Sequence, residues 1–150
     1  MKKIENGDLV YVDLGQHRRS CVQSGVRPCL VIGSYYASDA LNVLPLTKNI
    51  TKKYNPIHIR INRDDVKGYL ANDSLILVEQ ITTVDRRTVM GKLGRVSGQS
   101  SIMEQVRDML QRRFCFDIYA GASVEQTRDG GEQMPAADQP KVKQSEERQS

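Results

Sequence analysis

Hydrophobic and polar positions alternate in several short segments of this 150-residue chain. In residues 8–14 the valines and Leu14 fall on one face and Tyr11 and Asp13 on the other, which predicts a half-buried strand. The same period of two returns after Pro56, where isoleucines occupy every second position. Apolar runs predict three further strands, the last one central and buried on both faces, and a short strand follows them: residues 29–34, 41–46, 74–79 and 87–93.

A single amphipathic helix is predicted to start near Ser101. Ser101 and Glu104 have the spacing of a capping box, in which the serine bonds forward to the backbone and the glutamate bonds back. Apolar residues then recur every fourth position and form a stripe that packs on a sheet or barrel: Ile102, Val106, Leu110 and Phe114. Five or more short strands with one late helix predict a mostly β fold, a small barrel or sandwich.

The segments between these elements are polar. Residues 15–24 are basic and without a period, which predicts a loop long enough to be functional. Residues 62–73 predict a loop or a short helical turn, and residues 80–85 a polar connection. After Tyr119 the chain has scarcely any large apolar side chain. We therefore predict a folded domain over residues 1–119 and a disordered polar tail over residues 120–150.

Charge and cysteine content narrow the class of protein. Residues 1–119 hold 18 Lys and Arg against 12 Asp and Glu, a net charge of +6, whereas residues 120–150 carry −2. A basic body favours a polyanionic partner. The three cysteines contain no CxxC pair, which argues against a disulfide framework or a zinc site and fits the reducing cytosol. No apolar run reaches membrane-spanning length, so we expect a cytoplasmic protein with no membrane partner.

Two short segments carry the candidate chemistry. Gly25 permits a sharp bend and Pro28 favours extended backbone at Arg27, so we expect Arg27 at the mouth of the following strand. The next strand ends at Thr47, and the return of the chain would bring this hydroxyl and the Arg27 cation to one rim. Such a pair could bind phosphate. The alternative is structural: an arginine that pairs with a surface carboxylate and a threonine that merely ends a strand.

Other catalytic arrangements find little support. The only histidines lie on separate elements: we expect His58 on a solvated strand face and His17 in a basic loop that binds an anion. Neither suggests a Ser/His/Asp arrangement or a metal site. A hydrolase without a metal or a nucleophile–base pair must use the chemistry of its substrate. RNA supplies it, because its 2′-hydroxyl can attack the adjacent phosphorus and leave positioning and charge stabilisation to the protein.

Four sequence blocks occur in order within roughly residues 5–115: GDLVYVDL at 7–14, QSGVRP at 23–28, LPLT at 44–47 and DSLILVEQITTVD at 73–85. Together they resemble the MazF/PemK family of toxin endoribonucleases, the mRNA interferases. The resemblance implies an SH3-like barrel with a C-terminal helix and a homodimer. It also implies cleavage of single-stranded RNA without a metal or other cofactor, selective for sequence, to a 2′,3′-cyclic phosphate and a 5′-hydroxyl.

The same resemblance implies roles for single residues. Arg27 matches the catalytic arginine of the family and Thr47 its catalytic threonine. Glu79 and Gln80 match positions that line the RNA groove in relatives. With the residues beside the catalytic pair, the predicted RNA-binding set is Gln23, Ser24, Lys48, Glu79 and Gln80. Family members are usually neutralised by a small antitoxin whose disordered acidic segment lies in the same groove.

The general base is left open by the sequence. Some relatives carry an acid five residues before the arginine or a histidine six before it, and these positions hold Val22 and Cys21 here. Glu79, another group such as the Cys21 thiol, or water would then take the proton. Two other functions are also considered: a barrel that binds DNA gyrase without chemistry, as the CcdB family does, and an inactive relative that binds RNA or titrates an antitoxin.

Overall fold

The computed structural model describes residues 3–51 and 54–114. In this part of the chain an antiparallel sheet dominates, followed by helix α1 (Ile102–Arg113). Its eight strands are β1 (Asp8–Asp13), β2 (Val26–Ser34), β3 (Ala40–Thr47), β4 (His58–Ile61), β5 (Val66–Gly68), β6 (Ser74–Leu77), β7 (Thr82–Asp85) and β8 (Val89–Val96). Short 3-10 turns lie at Arg63–Asp65, Val78–Gln80 and Arg86–Thr88. The prediction of a mostly β fold with a C-terminal helix is confirmed.

The sheet curls into a half-barrel, with strand order β4-β6-β3-β2-β1-β8-β5 and β7 paired with β3. Strand β3 therefore changes partner along its length. Its residues 40–43 pair with β7, and Leu46 and Thr47 pair with β6. Pro45 lies between these two pairings, and on the other edge of β3 it is paired with Cys29 of β2.

Alternation along the central strands builds two cores. Leu9 and Leu30 belong to one buried cluster, whereas their neighbours Val10 and Val31 belong to the other. Helix α1 packs on the first cluster through its buried stripe, which confirms the predicted amphipathic pattern for Ile102, Val106 and, half-buried, Leu110. Because successive residues of a strand point to opposite faces, a strand buried on both faces reads as a continuous apolar run. Each fully buried leucine contributes about 1.5–3 kcal/mol to folding.

Several predicted boundaries differ from the structure. The strand predicted over residues 74–79 ends at Leu77 and continues as the 3-10 turn Val78–Gln80. The polar residues 80–85 contain β7, because Thr82, Thr83 and Val84 are β-branched and pair with β3. The predicted loop over residues 62–73 holds strand β5.

The helix start also differs in detail. The Ile102 N–H donates to the hydroxyl of Ser100 (3.2 Å), and the Ser101 hydroxyl accepts from the side chain of Gln105 (2.9 Å). The predicted forward bond therefore comes from the residue before Ser101. Phe114 follows the end of the helix and is exposed, so it does not extend the buried stripe.

Two further predictions concern a membrane-spanning segment and the end of the folded domain. No helix in residues 3–51 and 54–114 is long and apolar enough to cross a membrane. The predicted tail over residues 120–150, and the end of the domain at residue 119, lie outside the described residues.

Candidate active site

The loop between β1 and β2 (residues 14–25) delivers Arg27 to the open end of the sheet. Gly25 has φ +77°, in the left-handed region that glycine adopts without strain, as the predicted bend requires. Its N–H donates to the Gly15 carbonyl (2.7 Å) and closes the neck of the loop. Strand β2 already begins at Val26, so Arg27 lies inside the strand rather than before it. Pairing with β3 starts at Cys29, one residue after Pro28.

The Arg27 guanidinium is held by backbone carbonyls. Its Nε donates to the Ser24 carbonyl (3.0 Å) and its Nη1 to the Leu46 carbonyl (3.4 Å). Within the described ranges no carboxylate forms an ion pair with Arg27, which argues against the structural alternative of a surface salt bridge. The carbonyls fix the orientation of the planar fork and leave its positive charge without a counter-ion.

Thr47 lies at the last position of β3. Continuing the Cys29–Pro45 register by two residues brings Thr47 opposite Arg27, as the sequence predicted. The Thr47 hydroxyl oxygen accepts from the Asn49 N–H (3.3 Å) and keeps its own proton for another acceptor. A cation and a hydroxyl donor therefore meet at one rim.

This rim belongs to an open groove of about 540 Å³. Gln23, Arg27, Thr47 and Lys48 all line it, and the two cations are the only charged side chains among its described lining residues. Two phenol rings, Tyr11 and Tyr69, contribute to the walls, and Tyr69 is 65% exposed. The groove therefore offers positive charge for phosphates and aromatic faces for bases. We call it the Arg27 groove.

Glu79 does not line the Arg27 groove. Its carboxylate oxygen lies 2.8 Å from Nε2 of His58, whose side chain is only 10% exposed. The prediction of a solvated His58 is therefore wrong, because Glu79 in the turn after β6 reaches across to the ring. In the described part of the chain Nδ1 of His58 is buried without a hydrogen-bond partner.

Gln80 contacts the β1–β2 loop instead of the groove. Its Oε1 accepts from the Gln23 N–H (2.7 Å) and its Nε2 donates to the Cys21 carbonyl (3.1 Å). The partners are 57 and 59 residues away along the chain. No local pattern in the sequence signals such contacts, so sequence reasoning does not find them.

The cysteine and metal chemistry is limited. Burial raises the pKa of the Cys29 thiol to about 12, against the opposing effect of the nearby Arg27 charge, so Cys29 stays protonated. Among the described residues no group of three or more His, Cys, Asp and Glu is placed to hold a metal ion. Cys115 lies outside the described residues.

A curled antiparallel sheet, a C-terminal helix and a basic groove at the strand ends define a small β-barrel protein suited to a polyanionic ligand. The chain belongs to the family of PemK-like, MazF-like toxins of type II toxin–antitoxin systems, whose sequence profile matches residues 5–114. The resemblance stated from the four sequence blocks is thereby confirmed.

Relatives with assigned names support this membership. The chain is 34% identical over 113 residues to Endoribonuclease EndoA of Bacillus subtilis (strain 168), covering 72% of this chain and 91% of that protein. It is 35% identical over 103 residues to Endoribonuclease MazF of Staphylococcus epidermidis, covering 66% and 82%.

Solved structures support the fold. The crystal structure of MazF from Deinococcus radiodurans matches with a TM-score of 0.61 at 19% identity, covering 75% of this chain and 97% of that one. A mycobacterial endoribonuclease in complex with its cognate antitoxin matches with a TM-score of 0.57 at 18% identity, covering 76% and 97%.

Proposed function

We propose that this toxin is an endoribonuclease that cleaves single-stranded RNA, chiefly mRNA, at selected sequences in the Arg27 groove. The names of its relatives support the activity. One observation carries the assignment of the site. A guanidinium without a counter-ion and a hydroxyl with a free proton line the same groove, whose described lining contains no carboxylate. That arrangement favours a phosphate and disfavours a cation.

The proposed reaction uses the nucleophile of the RNA itself. The 2′-oxygen forms a bond to phosphorus while the bond from phosphorus to the 5′-oxygen breaks, which yields a 2′,3′-cyclic phosphate and a 5′-hydroxyl. The fork of Arg27 stabilises the charge that develops on the phosphate oxygens, and the Thr47 hydroxyl donates to one of them. Water accepts the proton of the 2′-hydroxyl and returns a proton to the leaving 5′-oxygen, because the described lining of the groove contains no carboxylate or imidazole.

The proposed RNA contacts begin with the residues beside the catalytic pair. Lys48 and Gln23 line the groove, and the Ser24 carbonyl orients Arg27. Glu79 and Gln80, outside the lining, stay predictions from the family resemblance. Exposed bases of single-stranded RNA can stack on the tyrosine rings of the groove walls.

We further propose that a small antitoxin neutralises the groove with an acidic segment. A mycobacterial endoribonuclease of the same fold was solved with its cognate antitoxin, and the groove here carries positive charge only. The active form is proposed to be a cytoplasmic homodimer, as in the family.

The test is a cleavage assay in two stages. Purified protein and a long mRNA, followed by sequencing of the new 5′ ends, identify the recognition sequence. A DNA oligonucleotide with a single ribonucleotide at the cleaved position should then be cut, and it should also be cut in excess EDTA. The same oligonucleotide with deoxyribose at every position should stay intact. Cleavage of the all-deoxy strand would overturn the mechanism. Intact RNA with inhibited gyrase supercoiling would favour the CcdB-like alternative.

A further inference from the structure

The β1–β2 loop has few attachments to the body of the protein. Its bonds at Leu14, Gly15 and Gly25 only close its own neck or reach the adjoining Asp13. In the described part of the chain, the two hydrogen bonds of Gln80 are the only ones that link this loop to anything beyond strands β1 and β2. They grip it at Cys21 and Gln23, on either side of Val22.

Gln80 is itself rigidly based. It ends the 3-10 turn Val78–Gln80, in which Val78 is fully buried in the core that helix α1 covers. The preceding Glu79 is joined to His58 on β4. Because the backbone of this turn is already fixed by the buried Val78, only the rotamer freedom of the Gln80 side chain is lost when its amide binds the loop.

The hydrogen bonds of Gln80 affect the position of Arg27 through two neighbouring loop residues. Gln23, whose N–H donates to Gln80, is followed directly by Ser24, whose carbonyl accepts from Nε of Arg27. If residues 21–23 move, the Ser24 carbonyl moves with them and the guanidinium loses one of its two carbonyl acceptors. A misplacement of about 1 Å in a catalytic group costs about 100-fold in rate.

We propose that Gln80 is a positioning residue, which holds the β1–β2 loop so that Ser24 orients the guanidinium of Arg27 for the phosphate. This role differs from the direct RNA contact predicted for Gln80 by family resemblance, and it rests on the proposed function of the Arg27 groove. The two roles predict different kinetic signatures: a positioning residue affects the chemical step, and a contact affects binding.

The test compares Gln80→Met, which keeps the size of the side chain and removes both hydrogen bonds, with Gln80→Glu, which keeps the acceptor for the Gln23 N–H. Rates are measured in single turnover with enzyme in excess, and Kd on an RNA with 2′-deoxyribose at the cleaved position. For Gln80→Met we expect a rate at least about tenfold lower and a Kd within about twofold of wild type. The cleavage rate of Gln80→Glu should lie between those of Gln80→Met and the wild type.

Two further measurements tie the effect to the loop and to Arg27. Arg18 and Arg19 are trypsin sites within the loop, and Gln80→Met should speed cleavage there, followed by mass spectrometry. In an Arg27→Ala background, Gln80→Met should change the rate by less than about twofold, because the group it positions is gone. The control is Gln105→Met. Gln105 lies on helix α1, away from the loop in sequence, and its amide donates to the Ser101 hydroxyl.

The outcomes separate the two ideas. The positioning role would be overturned if Gln80→Met raised the Kd by the same factor by which it lowered the cleavage rate, with trypsin cleavage of the loop unchanged. That result would show an RNA contact. A Gln80→Met protein that cleaves at the wild-type rate would overturn the positioning role too. A wild-type protein that cuts no RNA would instead defeat the proposed function, and the trypsin measurement would still decide whether Gln80 holds the loop.

Discussion

Arg27 faces the groove without a counter-ion among the described residues, because backbone carbonyls and not carboxylates hold its guanidinium. We expect Arg27→Ala to lower the cleavage rate about 100-fold or more, about 3 kcal/mol of transition-state stabilisation, as for the loss of one oxyanion donor. Arg27→Lys keeps the charge without the planar fork and should recover only part of the rate. The measurement is single-turnover cleavage of the mapped RNA.

The matched control is Arg107→Ala, on the exposed side of helix α1, which should cleave as wild type does. Thermal unfolding should be nearly unchanged in all three variants, because none of these side chains belongs to a core. Combining Arg27→Ala with Thr47→Ala should cost less than the sum of the two if both residues hold one phosphate. A folded Arg27→Ala protein with wild-type activity would refute the catalytic assignment.

Tyr69 presents a largely exposed ring to the groove, a position suited to stacking on a base next to the cleaved phosphate. Base–aromatic stacking contributes about 1–3 kcal/mol per base. We therefore expect Tyr69→Ala to weaken the Kd for the non-cleavable RNA about 5- to 100-fold, and Tyr69→Phe to bind as wild type does. Tyr36→Ala, which removes a 92% exposed tyrosine that does not line the Arg27 groove, is the control. Equal losses in both alanine variants would exclude a stacking site.

At the scale of elements, Asp8 joins strand β1 to strand β8. Its fully buried carboxylate accepts from the Glu5 N–H (2.8 Å) and pairs with Lys92 (3.0 Å) and Arg95 (2.7 Å). Burial by itself would raise the pKa of Asp8, but these hydrogen bonds and charges outweigh it and hold that pKa below its usual 3.8. Since the folded pKa lies below the unfolded one, the carboxylate stabilises the fold above about pH 4.

We expect Asp8→Asn to lower the free energy of unfolding by about 1–3 kcal/mol at pH 7, because Lys92 and Arg95 lose their partner. The difference from wild type should shrink as the pH falls below 3.8 and through the lower folded pKa, where Asp8 becomes protonated. Urea unfolding at pH 7, 4 and 3 measures it, with the helix variant Asp108→Asn as control. A difference that stays constant over this range would contradict the assignment.

Strands with clear alternation were predictable one by one. In β1 the exposed Tyr11 and Asp13 flank the buried Val12, as the period of two requires. Strand β7 was hidden because its four residues are polar or half-exposed and only pairing with β3 makes them a strand. The face of His58 was predicted wrongly for a related reason: local period gives two faces, but not which of them another segment will cover.

For the molecule as a whole, the site residues set by local sequence signals were predictable, and those set by distant contacts were not. Arg27 and Thr47 were predictable because a glycine bend, a proline and a strand end are local signals that happen to meet across β2 and β3. The bonds of Gln80 to the β1–β2 loop were not, since they depend on how the half-barrel closes. The family resemblance predicts an RNA contact at position 80, whereas the structure shows Gln80 bonded to the β1–β2 loop.

Binding of RNA by a basic body should depend steeply on salt. We expect the Kd for the non-cleavable RNA to weaken as salt rises, with a slope of about 0.7 in log units for each phosphate neutralised. Lys48→Gln should reduce that slope by about one such unit and leave the recognised sequence unchanged. Fluorescence titrations from about 50 to about 200 mM salt measure this dependence. A flat response would refute the electrostatic role of the groove.

The proposed homodimer is a separate prediction. Sedimentation in the ultracentrifuge at micromolar concentration should give twice the mass of one chain, because closed two-fold dimers are the commonest assembly and the resemblance to the MazF/PemK family implies one. The same experiment on Arg27→Ala should give the same mass, which separates assembly from catalysis. A monomer at this concentration would exclude the dimer as the stable form.

The two bonds of Gln80 end on main-chain atoms, the Cys21 carbonyl and the Gln23 N–H. Every amino acid carries the first of these groups, and every one but proline carries the second. Side chains at positions 16–18 and 20–22 can therefore change without removing either hydrogen bond, whereas proline at position 23 removes the donor to Gln80. Position 19 is more restricted, because Arg19 has φ +50°, which proline cannot adopt and β-branched residues rarely adopt. This makes the loop a natural place for recognition to diverge between lineages, and a place where a library of variants can be selected for new target sequences without rebuilding the catalyst.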